Sequence, residues 1–213
     1  MNFLLDLLFP IKCLGCGAWD TWLCKNCQKI LNNKNKILLN NNKYLSGLYY
    51  LTNYREKLIQ KIIHQFKYGY TEELAIILGK HLAILLDQQF DIIIPIPLHH
   101  KRFAERGFNQ AELLGKQIII NQHVETCHGM SLQNNILSRT KYTFPQAQLE
   151  NSARIKNVQN IFAINKNNFE ILKNKKILLI DDVFTTGATM LECAKILQQN
   201  QAKEIWGITI AKG

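Results

Sequence analysis

Residues 176–193 read KILLIDDVFTTGATMLEC, and this stretch constrains the fold more than any other. Ile177, Leu178, Leu179 and Ile180 form the continuous apolar run of a strand buried on both faces. Two adjacent carboxylates, Asp181 and Asp182, follow, and a helical pattern begins at Ala188. In open α/β sheets ligands bind beyond the carboxyl ends of the strands, so the loop 181–189 stands where a site is expected. Thr185 to Thr189 can curl so that hydroxyls and backbone N–H groups converge on one small anion at the start of the following helix. Gly187 lets the backbone approach closely. Ionised Asp181 and Asp182 only accept hydrogen bonds, which suits sugar hydroxyls or a hydrated Mg2+. A phosphate cradle beside such acceptors fits a 5-phosphorylated ribose. The chain has neither G-x4-G-K-[ST] nor G-x-G-x-x-G, which removes the Walker and Rossmann readings.

The rest of the chain agrees with an α/β domain around a mostly parallel sheet. FDIIIPIPL is a short buried strand that Pro95 and Pro97 must end. YLSGLYYL, ILSRT and EIWGITIA read as further strands. Apolar spacing predicts helices over 55–66, 72–88, the GFNQAELLGKQIII stretch and 188–199. Gly69 should break the first of these and Thr71 cap the second, while LNNKNKILLNNNK reads as a polar connector.

Four cysteines fall in CLGCGAWDTWLCKNC: Cys13, Cys16, Cys24 and Cys27, a C-x2-C-x7-C-x2-C pattern. Two such turns can supply four thiolates to one structural zinc ion, with Gly15 and Gly17 easing the tight backbone. A pair of disulfides is the weaker alternative, because no secretion signal is present. MNFLLDLLFP lacks a basic start and a cleavage site, and Asp6 interrupts its apolar run; it reads as a short amphipathic helix packed on the protein. No segment is long and apolar enough to span a bilayer, so a cytoplasmic location is expected. Trp19 and Trp22 are expected to form the knuckle's small core. Cys127 and Cys193 read as ordinary buried or half-buried thiols. The division expected is 1–43 for the N-terminal helix, knuckle and connector, and 44–213 for the α/β domain.

Charge adds a weaker constraint. The net charge is +10 and the pI near 9.3, which favours anionic partners, although a solvated Lys-rich and Asn-rich surface would give the same figure.

ILLIDDVFTTGAT resembles the phosphoribosyl pyrophosphate (PRPP) motif of type I phosphoribosyltransferases. With IIPIPLHHKRFAERGFNQAELLGK, FKYG, RTKYTFPQAQLENSARIKNVQNIFAI and the four-cysteine knuckle, the whole chain resembles the ComF family, phosphoribosyltransferase-like proteins linked to natural competence. The resemblance implies that Asp181, Asp182, Val183, Thr185, Thr186, Gly187, Ala188 and Thr189 bind PRPP with Mg2+, the two acids being catalytic if transfer occurs. It places Lys101, Arg102 and Arg106 at the pyrophosphate loop, where several phosphate oxygens can be met. Asn109 and Gln110 could complete that site or cap the next helix, and His99 matches the family while His100 departs from it. Lys67 could offer an ammonium to the diphosphate, or be a plain surface lysine. Arg139, Gln146, Arg154 and Asn157 match a hood loop over the site, which could equally be an irregular polar loop.

Three functions remain open at this point. The chain could bind PRPP in support of DNA uptake, transfer phosphoribose to an unknown nitrogen acceptor, or bind single-stranded DNA through basic and aromatic residues beside a vestigial site. A helicase or other uptake protein is a partner implied by the family alone.

Overall fold

The computed structural model describes residues 10–69, 71–123, 129–142, 160–165 and 170–213. The stretch 1–9 read as an N-terminal helix, Cys127, Gln146, Arg154 and Asn157 lie outside the described residues. Among the described residues, eight strands and five α-helices follow in order: β1 (Asn35–Leu38), β2 (Gly47–Asn53), α1 (Lys57–Tyr68), α2 (Glu72–Ala83), β3 (Ile92–Pro95), α3 (His100–Arg106), α4 (Gln110–His123), β4 (Ser131–Leu132), β5 (Leu137–Arg139), β6 (Phe162–Ile164), β7 (Lys176–Phe184), α5 (Ala188–Gln199) and β8 (Glu204–Lys212). A 3-10 turn, Cys27–Leu31, closes the cysteine module.

Six strands make one sheet in the order β1-β2-β8-β7-β3-β4, parallel throughout except for the antiparallel pair β1–β2. The central strands β7 and β8 are the longest, each with a continuous buried run, as expected where both faces are covered. Side chains alternate between two layers. Ile93, Leu178, Ile180, Ile208 and Ile210 pack with α1, α2 and α4, through residues such as Ile62, Phe66, Leu78 and Leu114. Ile92, Ile94, Ile177, Leu179 and Ile205 pack with Met190, Cys193 and Leu197 of α5 and with Leu137 and Phe162. A separate two-stranded sheet pairs β5 with β6.

The cysteine module adds to the first layer. Cys13, Leu23 and Leu31 are buried in the same cluster as Ile59 and Phe66. Leu23 and Leu31 form the module's core together with half-buried Trp22, and not with Trp19, which is 60% exposed and lies under Lys12 Nζ at 4.1 Å. That overturns the expectation for Trp19: the sheet's layer supplies the apolar cover that the small module would otherwise need from its own tryptophans.

Three further expectations need correction. Asn35–Leu38, inside the stretch read as a connector, is edge strand β1. The helix predicted over 72–88 ends at Ala83, and beyond it Asp87 and Gln88 turn to Lys36 and Tyr49: Lys36 Nζ lies 2.8 Å from Asp87 Oδ2, and Gln88 Nε2 donates to Tyr49 Oη at 3.1 Å. The segment expected as a pyrophosphate loop contains helix α3. None of its residues is buried, so there was no apolar period to reveal it.

Candidate functional site

Strand β7 runs on through the acids to Phe184, so Asp181 and Asp182 belong to the strand and not to the loop after it. The period-two alternation of a strand then sends them to opposite layers. Asp182 meets α1: Lys67 Nζ lies 2.7 Å from its Oδ2. Burial works against the Lys67 ammonium, but the carboxylate of Asp182, with that of Asp181, more than offsets it and raises the Lys67 pKa. Asp181 shares its side with Cys193 and Arg139, which both feel its charge. Burial and the neighbouring Asp182 push the Asp181 carboxyl up to about 7, despite the opposing pull of Lys67 and Arg139. Its Oδ1 accepts from the Asp182 backbone N–H at 2.8 Å.

The small residues after β7 make a tight corner. Gly187 has φ of 75° and is the N-cap of α5; a Cβ there would fall 2.3 Å from Phe184 Cζ. The Ala188 N–H donates to Thr186 Oγ1 at 3.4 Å, while the helix opens with Leu191 N–H to Gly187 O at 2.8 Å. Thr185, Thr186 and Thr189 therefore flank the N-terminus of a twelve-residue helix, where the unpaired N–H groups of the first turn favour an anion.

Helix α3 begins beyond the carboxyl end of β3, next to β7 in the sheet. His99 is its N-cap, with Nδ1 accepting from the Lys101 N–H at 3.3 Å. Burial, with His100, Arg139, Lys101 and Arg102 around it, holds the His99 pKa below its ordinary value. Lys101 Nζ and the Arg102 guanidinium lie 5.6 and 5.8 Å from the Tyr142 ring centroid. Arg106 turns the other way, donating to Gln110 Oε1 at 3.1 Å and to Tyr68 Oη at 3.3 Å. Gln110 in turn donates to the Lys67 carbonyl at 3.4 Å, so this side chain ties α3, α4 and α1 together. Asn109 caps α4 through its Oδ1 and the Ala111 N–H at 3.0 Å, and holds the end of β3 through the Ile96 carbonyl. Arg139 ends β5 beside Phe162 and in the field of Asp181. The link from Arg106 through Gln110 to Lys67 had no signal in the sequence beyond the residue types themselves.

In the cysteine module, the Sγ atoms of Cys13, Cys16, Cys24 and Cys27 all lie within 4.8 Å of one another. Tetrahedral thiolates about 2.3 Å from a zinc ion stand about 3.8 Å apart, and the Cys16–Cys24 separation is 3.6 Å. The donor set fits a metal ion. Burial works against the Cys13 thiolate, but backbone N–H groups of Cys16, Cys24 and Gly15 outweigh it and bring its pKa to about 6; burial and the neighbouring thiols push Cys27 up to about 12. Four thiols crowded this closely share negative charge poorly without a cation. Gly17, at φ 78°, makes the left-handed turn after the first pair, and a Cβ on Gly15 would meet Cys27 Sγ at 2.6 Å. No disulfide joins the described cysteines, and no helix among the described residues is long and apolar enough to cross a membrane.

Comparison with known proteins agrees with this architecture. Residues 135–213 match the phosphoribosyl transferase domain family. The chain is 38% identical to competence protein F of Haemophilus influenzae over 125 residues, covering 57% of this chain and 51% of that protein. It is 28% identical to the DNA utilization protein YhgH of Escherichia coli K12 over 158 residues, covering 70% and 65%, and 26% identical to competence protein ComFC of Bacillus subtilis over 201 residues, covering 94% and 72%. The chain thus spans from about half to under three quarters of the length of these relatives. Among solved structures, the allosteric regulatory enzyme of purine biosynthesis aligns at 14% identity and TM-score 0.43, covering 68% of this chain and 29% of that one. A hypoxanthine phosphoribosyltransferase from Staphylococcus aureus aligns at 15% identity and TM-score 0.38, covering 67% and 65%. This chain is a homologue of competence protein F, ComFC and YhgH; its residues 135–213 carry the match to the phosphoribosyl transferase domain family, within a mostly parallel α/β sheet beside a four-cysteine cluster.

Proposed function

We propose that the chain binds PRPP with Mg2+ and serves the handling of transforming single-stranded DNA. The observation that carries the PRPP reading is the placing of two carboxylates near the carboxyl end of β7, with the left-handed Gly187 that caps α5 five residues after Asp182. Thr185, Thr186, Thr189 and the first N–H groups of α5 would take the 5-phosphate, with Val183 and Ala188 shaping the turn. Asp181 and Asp182 would accept from the ribose hydroxyls. Lys101 and Arg102 of α3, with Arg106 behind them, would face the diphosphate. Mg2+ bound with PRPP would neutralise diphosphate charge, and the acids are the residues suited to its hydration shell. Arg139 would approach the site from the β5 side. The competence role comes from the names of the relatives, competence protein F, ComFC and DNA utilization protein YhgH, and extends to this chain as part of the same proposal.

Calorimetry with Mg-PRPP tests the site: wild type should bind, and the Asp181→Asn, Asp182→Asn double variant should not. Equal binding by the two would sink the assignment. Pyrophosphate release across a panel of bases and amines then separates a transferase from a binding protein. Under the transferase reading, the same acids would favour positive charge developing at the anomeric carbon.

A second reading, direct binding of single-stranded DNA, is favoured by exposed Trp19 with Lys12 over its ring. Stacking faces beside cations bind single strands without regard to sequence. Whether PRPP and a single strand bind together or compete tells the two surfaces apart. A zinc ion at the four cysteines would be structural, and the division 1–43 and 44–213 is part of the same proposal.

A further inference from the structure

Asp182 is not open in the free protein, because Lys67 is on it. Its Nζ lies 2.7 Å from Asp182 Oδ2, and both side chains are largely shielded, 24% and 13% exposed. A ribose hydroxyl that sought Asp182 would find that oxygen taken. The backbone of Lys67 is fixed: its carbonyl accepts from buried Gln110, Phe66 before it is fully buried, and Gly69 N–H closes α1 on the Gln65 carbonyl at 2.7 Å. Only the side chain can move, and a lysine ammonium on a flexible four-carbon stem is suited to that. An ammonium leaving a shielded carboxylate needs a second anion to meet, since desolvated charge without a partner is unfavourable.

We propose that Lys67 is a specificity-determining residue that holds Asp182 in the free protein and passes to the diphosphate when PRPP binds. The proposal rests on the reading of Asp181–Thr189 as a phosphoribosyl site. Its consequence is selectivity. PRPP brings both hydroxyls that displace the ammonium and a diphosphate that receives it. Ribose 5-phosphate brings the hydroxyls alone and must expel Lys67 with no new partner. The lysine thus opposes the ligand that lacks a diphosphate and supports the one that has it, discrimination by a repulsive element as well as an attractive one.

Titration calorimetry of wild type, Lys67→Met and Asp182→Asn with the Mg2+ forms of PRPP and ribose 5-phosphate tests this. Lys67→Met should bind PRPP about tenfold more weakly, the scale of one lost charged hydrogen bond. The same variant should bind ribose 5-phosphate severalfold more tightly. Opposite signs for the two ligands support the proposal; a shift in the same direction for both, or in neither, overturns it. Asp182→Asn should weaken both ligands. If that variant binds both as wild type does, the site reading itself fails, which is a different result from failure of the Lys67 role. Lysine acylation of unsubstituted protein, read by mass spectrometry, gives a second measure that needs no variant. Saturating ribose 5-phosphate should raise modification of Lys67 and PRPP should lower it; equal modification in the two states overturns the proposal.

Discussion

Asp181 and Asp182 are adjacent in sequence yet serve opposite layers of the sheet: Asp182 pairs with Lys67 of α1, while Asp181 lies in the field of Arg139 and Cys193. One strand therefore brings two carboxylates to one edge, the first beside Arg139 and the second in direct contact with Lys67, whose charge reaches both.

Asp181 titrates near 7 in the folded protein, well above the ordinary aspartate value, because of burial and Asp182. Between about pH 4 and pH 7 the folded state binds the proton that the unfolded chain has released, so stability falls as pH rises through that window. Asp181→Asn should therefore be more stable than wild type at pH 8, by about 1 kcal/mol or more, with the gap closing towards pH 4. Denaturant melts at the two pH values check this, and an unchanged gap would refute the shift.

Removal of metal should destabilise the cysteine module and, through the core they share, the sheet as well. We expect one zinc ion per chain by atomic absorption, and under half of that in a Cys24→Ser, Cys27→Ser variant. Chelator should free the four thiols to a colorimetric thiol reagent and lower the melting temperature, since the energy of binding a structural zinc is folding energy.

Gly187→Ala should damage both fold and site. The left-handed φ of 75° and the contact with Phe184 each oppose a Cβ, at a combined cost of about 1–3 kcal/mol. Thermal melting should show the loss, and PRPP affinity should fall with it as the turn before α5 opens.

Trp19→Ala separates the DNA reading from stability. The ring is exposed, so the melting temperature should hold to within about a degree, as for most surface changes. Affinity for a single-stranded oligonucleotide should fall by the loss of about 1–3 kcal/mol of stacking, measured at fixed salt. Unchanged affinity would place any strand contact elsewhere.

Much of the sheet was legible because it follows simple periods. β7 and α5 carry strong, continuous patterns, and Ala188–Gln199 has the bounds that its sequence predicts. β1 was hidden because four residues among asparagines are too few to show alternation, and what holds Asn35–Leu38 in place is its partner β2 and the clasp of Lys36 on Asp87. α3 was hidden because a solvated helix has no apolar stripe. The acid pair could be read from adjacency alone. The Lys67–Asp182 contact could not, since nothing local to either residue encodes it; it follows from the packing of α1 across β7.

The burial of Leu23 and Leu31 against Ile59 and Phe66 bears on how the molecule comes apart. A cluster held in common by the cysteine module and the sheet leaves neither half a separate melting unit. Heating should give a single cooperative transition, and amide exchange at Leu31 should report the same opening free energy as exchange at Phe66.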